Sequence, residues 1–245
     1  MGLSHSPRII TDGLVLCVDA ANKRSYPGTG TVWTDLAGGN AGTLTNMETD
    51  GTDFSSVNGG SLIFDGSDEY VVVPDSPKLS FSTAMSLCGW VYSDGTSAVQ
   101  TLCSKGGDDS DPSAREWRIG LHNNGDSYSQ NYIQVLIGRS TGAWGKVWYP
   151  AITLPFTTWI YICMCWDEPL NAAILYKDGI QVASTNYDGT IKNGTANVFL
   201  AASHDSSNDP ERNLDGKISH VQLYNRALTA DEILQNYTAT RGRFA

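Results

Sequence analysis

The sequence predicts an all-β protein in which two antiparallel sheets pack face to face as a sandwich, with one short helix near the C-terminus. Short runs rich in β-branched and aromatic residues, bounded by Gly, Asn, Asp and Ser, recur along the chain. Helical periodicity is confined to one stretch near the end. The 25 glycines, 11 tyrosines and 7 tryptophans, with only 17% charged residues, are typical of short strands joined by many turns.

A length of 245 residues fits a single β-sandwich. We expect one domain over residues 12–237, an N-terminal arm over residues 1–11 and a C-terminal tail over residues 238–245. Both ends are polar, and we expect each either to fray or to lie on a neighbouring subunit.

The strands are predicted from β-branched and aromatic runs. In chain order they cover residues 14–18, 61–64, 70–73, 85–92, 99–104, 116–121, 132–137, 159–166, 172–176, 181–184, 197–201 and 218–224.

Two local signals specify a turn and the helix. Asp178 and Gly179 separate two of these runs, and both residue types tolerate the positive φ angles of a two-residue hairpin turn. Thr229 and Glu232 form a capping-box pattern that starts a helix over residues 230–237.

The cysteines do not have the spacing of a disulfide framework or a zinc site. There are five, an odd number, and each lies in an apolar run: Cys17, Cys88, Cys103, Cys163 and Cys165. We therefore expect small core residues.

The formal net charge of −10 and the acidic pI near 4.7 argue against nucleic acid or an anionic membrane as partner. The first residues lack a basic segment followed by an apolar one, so we expect no signal peptide and synthesis in a cytoplasm. No apolar run is long enough to span a bilayer.

Three segments resemble the laminin-G-like, or concanavalin A-like, lectin-glucanase family: Gly13 to Asn22, Ser61 to Gly66 and Leu214 to Ile233. The resemblance implies a two-sheet jelly-roll and a function in binding, without enzymatic activity. The two ends of the chain are similar to the flanks of such domains in structural proteins of tailed bacteriophages. This implies a virion surface protein, either a head decoration protein or a tail or fibre component, with other virion proteins as partners and a homo-oligomeric state.

The resemblance to the pentraxin-like branch of this fold implies a calcium site. Its ligands would be Asp108 and Asp109 from one acidic loop and Asp205 from another, since calcium takes six to eight oxygen ligands. His204 stands where that branch has a carboxylate or amide. The alternative is that both loops are solvated turns.

A carbohydrate site in this fold needs an exposed aromatic platform with polar groups around it. Trp144, Trp148 and Tyr149 lie in a glycine-flanked segment and are the candidates, either as that platform or packed under a loop. The tryptophans of the apolar runs, Trp90, Trp159 and Trp166, are expected in the core.

Two other functions remain open. In one, the domain is an adhesin that recognises polysaccharide, with host surface glycans as its ligands. In the other it is a glycoside hydrolase, for which the stretch from Glu48 to Asp53 approaches the carboxylate spacing but places Gly51 in a turn-like position.

Overall fold

The structure is a computed structural model that describes residues 7–95, 99–106, 115–122, 131–140, 146–148, 154–204 and 209–244, with the backbone alone for residues 115 and 146–148. Within these ranges the strands are β1 (Leu14–Asp19), β2 (Val32–Trp33), β3 (Gly42–Thr45), β4 (Phe54–Ser55), β5 (Ser61–Asp65), β6 (Tyr70–Val73), β7 (Ala84–Ser93), β8 (Val99–Gly106), β9 (Arg115–His122), β10 (Tyr132–Ile137), β11 (Lys146–Trp148), β12 (Ile160–Asp167), β13 (Ala172–Lys177), β14 (Ile180–Asn186), β15 (Val198–Leu200), β16 (Ser203–His204), β17 (Pro210–Glu211) and β18 (Asp215–Tyr224). Helix α1 (Ala230–Thr240) follows the last strand, and single 3-10 turns cover Val57–Gly59, Pro77–Leu79 and Arg241–Arg243.

The strands form two antiparallel sheets, which confirms the predicted fold. The first sheet has the order β14-β13-β12-β7-β18-β5-β4, and β1 also pairs with β18. The second has the order β11-β10-β9-β8-β15-β6-β3-β2, and β16 and β17 form a separate small ladder. The pairing of β1 with β18 places residues near both ends of the chain side by side in the first sheet.

The main core lies between the two sheets. Because side chains alternate along a strand, each strand contributes every second residue to this layer. Fully buried aromatic rings fill much of it, among them Trp33, Phe64, Trp117 and Trp166.

A second, smaller core lies on the outer face of the first sheet. Helix α1 covers this face, and Ile233 of the helix packs with Trp90, Tyr161 and Tyr224 of the strands. This layer exists because β7, β12 and β18 carry large side chains on both faces, so that neither face can stay in water without exposing apolar area.

All twelve predicted strands are present, with ends shifted by a few residues. The hairpin is also confirmed, since β13 and β14 are joined by Asp178 with φ 53° and Gly179 with φ 81°. The capping box is present: the Thr229 hydroxyl accepts a bond from the Glu232 amide, and the Glu232 carboxylate accepts one from the Thr229 amide.

The described parts of both chain ends pack against the sandwich. Helix α1 continues to Thr240, three residues beyond its predicted end, because residues 238–240 keep a buried contact with the sheet through Thr240. Beyond it, Phe244 packs in the smaller core, as does Ile10 of the N-terminal segment. The amide of Ile10 donates to Asn236 Oδ1 at 2.7 Å, so the described parts of both ends lie on their own domain.

The expectation for the cysteines is wrong for one pair. Cys88 on β7 lies directly opposite Cys163 on β12, with Cα atoms 4.0 Å apart, and the two form a disulfide. The register of two strands that lie far apart in the chain brings them together. Cys17, Cys103 and Cys165 are buried free thiols, as expected.

Within the described ranges, no helix combines the length and apolar character needed to cross a bilayer.

Candidate ligand-binding pocket

The residues that the sequence proposed for ligands lie almost entirely outside the described residues. This holds for Asp108, Asp109, Asp205, Trp144 and Tyr149. Trp148 ends strand β11, where its backbone pairs with Val135, and its side chain is outside the description. The calcium and carbohydrate assignments of these residues stay predictions.

The described residues contain no group of three or more His, Cys, Asp or Glu side chains arranged to hold a metal ion. His204, which follows β15 in the sequence, is buried with its ring centroid 5.0 Å from that of Phe199.

The stretch that approaches a hydrolase motif forms a turn. Asp50 Oδ1 accepts bonds from the amide and hydroxyl of Thr52, at 2.9 and 2.7 Å, and Asp53 accepts one from the Glu48 amide. These two aspartates satisfy turn amides, and residues 49–53 belong to no strand.

An open cavity of about 470 Å³ lies on the outer face of the first sheet, where the C-terminal end of helix α1 meets the strands. Its lining consists of four aromatic rings, one carboxylate, one guanidinium and a glycine: Trp90, Trp159, Tyr237, Phe244, Asp178, Arg241 and Gly242. We refer to this cavity as the aromatic pocket.

Trp90 is the buried base of the aromatic pocket. The alternation of β7 directs it away from the main core, and its indole Nε1 donates to Thr240 Oγ1 at 2.8 Å. Phe244 stacks on it with ring centroids 4.2 Å apart, and Tyr237 stacks at 5.7 Å. Every polar atom of the Trp90 side chain is thus satisfied, and its ring orientation is fixed.

Half-buried rings form the walls. Trp159, just before β12, lies with its ring centroid 4.8 Å from that of Phe244. Tyr237 comes from the last turns of α1. Because these rings are partly exposed, they offer flat apolar area to a ligand in the cavity.

The rim of the aromatic pocket carries one acidic and one basic side chain, Asp178 and Arg241, and they differ in their partners. Asp178, in the β13–β14 turn, accepts a bond from the Tyr161 amide at 3.0 Å and one from Lys177 Nζ at 3.0 Å. The exposed Arg241 has its guanidinium carbon 5.7 Å from the centroid of the Tyr237 ring. Among the residues that the structure describes, no carboxylate pairs with Arg241.

The segment that completes the aromatic pocket is held by an ion pair. Arg243 donates two hydrogen bonds to the carboxylate of Asp19, at 2.8 and 3.0 Å. Asp19 lies on β1, so this bidentate pair ties the end of the chain to the first sheet and positions Phe244 over Trp90.

A smaller cavity of about 180 Å³ lies beneath Arg243 and is lined in part by Cys17, His220 and Gln222. Both ring nitrogens of His220 lack a hydrogen-bond partner in the described part of the chain. Burial lowers the pKa of His220 to about 4, Asp19 opposes this shift and Arg243 adds to it. Burial also raises the pKa of the Cys17 thiol to about 12, so this cysteine is not a nucleophile near neutral pH.

The aromatic pocket has a single carboxylate among the described residues that line it. Hydrolysis of a glycoside uses two carboxyl groups on either side of the bond that is cleaved. The single carboxylate belongs to Asp178, and Lys177 already neutralises it.

Sequence reasoning missed this pocket because it assigned Trp90 and Trp159 to the core from their apolar surroundings. Trp90 does lie in a core, but in the smaller one outside the sheet. Alternation along β7 is a signal that could have found it, since Trp90 shares a face with Ser86 and Cys88, opposite to Leu87. Phe244 in a polar tail is a second signal.

A protein-family model and several solved structures are similar to this chain in fold. A family model described as Laminin_G_3, the concanavalin A-like lectin/glucanases superfamily, matches residues 65–234. No curated protein sequence matches the chain.

Among solved structures, domain 4 of AbnA, a GH43 extracellular arabinanase from Geobacillus stearothermophilus in complex with arabinotriose, is similar with a TM-score of 0.64 and 17% identity, over 93% of this chain and 100% of that one. The binding domain of Paraclostridial Mosquitocidal Protein 1 has a TM-score of 0.64 and 14% identity, over 92% of this chain and 52% of that one. A mutant sialidase of Trypanosoma rangeli has a TM-score of 0.64 and 16% identity, over 97% of this chain and 34% of that one. At these identities the similarity concerns the fold.

Proposed function

The chain belongs to the concanavalin A-like lectin/glucanases superfamily, and from that premise we propose that it is a non-enzymatic carbohydrate-binding protein on the surface of a phage particle.

The observation that carries the binding function is the composition of the aromatic pocket. A sugar ring has an apolar face of C–H groups and a rim of hydroxyls, so it is bound by a flat aromatic ring together with a few polar groups. Trp159 and Phe244 supply partly exposed rings, and Asp178 and Arg241 stand at the edge. The cavity of about 470 Å³ has room for one or two sugar units.

The solved structures of similar fold support binding as the mode of action. Domain 4 of the arabinanase was solved with arabinotriose, and the mosquitocidal protein segment is named a binding domain. By analogy of fold, this chain would act as a recognition module.

The virion assignment rests on the resemblance of both ends of the sequence to domains of phage structural proteins. In this proposal the partners are other virion proteins and host surface glycans, the protein is a homo-oligomer, and nucleic acid and membrane are not partners. Repetition by symmetry suits weak sugar binding, because several sites acting together bind a polymer far more tightly than one.

Calcium is a further part of the proposal, with Asp108, Asp109 and Asp205 as ligands. We expect a calcium-dependent rise in the thermal midpoint that is lost in the double variant Asp108→Ala, Asp109→Ala. An identical midpoint in calcium and in chelator would contradict it.

The carbohydrate proposal is tested by binding to an array of neutral and acidic oligosaccharides, followed by titration of the best ligand. We expect Trp159→Ala to weaken binding roughly tenfold, because it removes an aromatic ring that the sugar would cover. Leu170→Ala is the matched control: Leu170 is an exposed apolar residue beyond the opposite end of β12. Equal loss in both variants, or no binding to any sugar, would sink the proposal.

The location is tested by electron microscopy of the purified phage particle with this protein labelled. Density on the head lattice would support decoration, and density at the tail tip or fibre ends would favour the adhesin. Absence from the particle would reject the virion assignment.

A further inference from the structure

The charges around the aromatic pocket do not cancel. Asp178 is paired with Lys177 at 3.0 Å, so that carboxylate and that ammonium neutralise each other. Arg241 is exposed at the rim, and no described carboxylate pairs with it. The described part of the aromatic pocket therefore carries one uncompensated positive charge.

This charge is unusual in its setting. The protein has 26 acidic and 16 basic residues and a formal net charge of −10. Two other arginines near helix α1 are engaged, since Arg226 pairs with Glu232 at 2.7 Å and Arg243 with Asp19 at 2.8 Å. Arg241 differs from both in having no acidic partner among the described residues.

The side chain of Arg241 is also placed for recognition. It follows the last residue of α1, and its backbone amide donates to the Tyr237 carbonyl, which fixes the residue at the helix end. Its guanidinium lies beside the Tyr237 ring, within reach of a cation–π interaction that restricts the side chain. A planar guanidinium held in this way can bind a carboxylate through two parallel hydrogen bonds.

The dipole of helix α1 disfavours an anion at its C-terminal end, but this effect is weaker than the attraction of the anion to the Arg241 guanidinium. A helix C-terminus carries a partial charge of about −0.5, against the full positive charge of an arginine. At α1 one of the terminal carbonyls is also satisfied, because the Tyr237 carbonyl accepts bonds from the Arg241 amide and, at 3.3 Å, from Thr240 Oγ1.

We propose that the aromatic pocket selects acidic sugars, with the ring of the sugar against Trp159 and Phe244 and its carboxylate on Arg241. The class of ligand is a glycan that contains uronic acid or sialic acid units, which share a carboxylate attached to the sugar ring. This inference rests on the proposed carbohydrate-binding function and names the ligand class of the same pocket.

The experiment is a calorimetric titration of the full chain with three probes: oligogalacturonate, the neutral galactose oligomer of equal length, and a sialylated oligosaccharide. We expect at least one acidic probe to bind about tenfold more tightly than the neutral one. Arg241→Gln should remove this preference, so that the acidic and the neutral probes bind the variant with about equal affinity. Arg241→Lys should recover part of the preference, since lysine keeps the charge without the bidentate geometry.

The results of this titration distinguish a preference for acidic sugars from carbohydrate binding in general. If both acidic probes bind no better than the neutral one, and Trp159→Ala weakens all of them, the acid preference is wrong and carbohydrate binding stands. If acidic probes bind and Trp159→Ala leaves them unaffected, the aromatic pocket is not the site and the inference fails. If no probe binds at all, both fail. Arg241 is exposed, so the glutamine and lysine variants should keep the thermal midpoint of the parent, which each titration would check.

Discussion

At the scale of single residues, the buried His220 makes the stability of the protein depend on pH. The ring is fully enclosed, and burial lowers its pKa from 6.5 to about 4. In the unfolded chain the imidazole keeps its ordinary pKa, so between pH 6.5 and 4 the unfolded state binds a proton that the folded state does not. Stability from this group is therefore complete above pH 6.5 and falls as the pH falls toward 4.

We predict that His220 alone lowers the free energy of unfolding by about 3 kcal/mol between pH 7 and pH 4. Denaturant titrations of the parent and of His220→Phe at several pH values would measure it, since the variant lacks this proton. Glu69 acts in the opposite sense, because burial raises the pKa of its carboxyl to about 7. It is present in both proteins, so it cancels in their difference. Parallel pH curves for the two proteins would show that His220 is not responsible.

At the scale of single elements, the stability of helix α1 depends on the capping interactions of its first turn. Glu232 accepts the Thr229 amide and is held by Arg226, whose hydrogen bonds lower the pKa of Glu232 to about 2. The capping carboxylate therefore stays ionised throughout the ordinary pH range, where it also faces the positive end of the helix dipole.

We predict that Thr229→Ala lowers the free energy of unfolding by about 1 kcal/mol, because the Glu232 amide loses its acceptor. Chemical denaturation followed by circular dichroism is the measurement. Thr238→Ala, in the last turns of the same helix, is the control and should not lower the free energy of unfolding, since alanine favours helix more than threonine does. Equal effects of the two substitutions would contradict a capping role.

The elements show which features a sequence can predict. The longer strands were predictable because β-branched and aromatic runs such as residues 160–167 favour extended backbone over their whole length. Strands β2 and β4 have only two residues each and are defined by their neighbours, so no local pattern indicates them. The capping box predicted where α1 begins, while its extension to Thr240 depends on the contact with Trp90, which is distant in sequence.

The pocket was harder to predict than the strands. The pocket is formed by Trp90, Trp159 and the C-terminal segment, which are distant in sequence. Trp90 and Thr240, which share a hydrogen bond, are separated by 150 residues. Only the pairing of β7 with both β12 and β18 brings them together. The same reason explains why the Cys88–Cys163 disulfide was not expected.

At the scale of the whole molecule, the protein has two hydrophobic cores that are formed by different parts of the chain. The main core lies between the sheets, and the smaller core depends on α1 and the chain ends. The sandwich should therefore survive loss of the last residues, whereas the aromatic pocket should not.

We predict that a chain ending at Thr240 keeps its β-sheet circular dichroism and loses about 2 kcal/mol of stability, from the partly buried Phe244 and the Arg243–Asp19 pair. Tryptophan fluorescence should shift to longer wavelength as Trp90 and Trp159 meet water, and oligosaccharide binding should be lost. A chain ending at Phe244 is the control and should match the parent. Retained sugar binding in the shorter chain would place the site elsewhere.

Both ends of the described chain rest on the same side of the molecule. Gln235 Nε2 donates to the Arg8 carbonyl at 2.7 Å, and Phe244 covers Trp90 on the same sheet face. A molecule attached to a partner through this face would therefore present its second sheet to the surroundings. A purification tag placed after Phe244 would stand beside the aromatic pocket, which Phe244 lines, so it should be cleaved before affinity is measured.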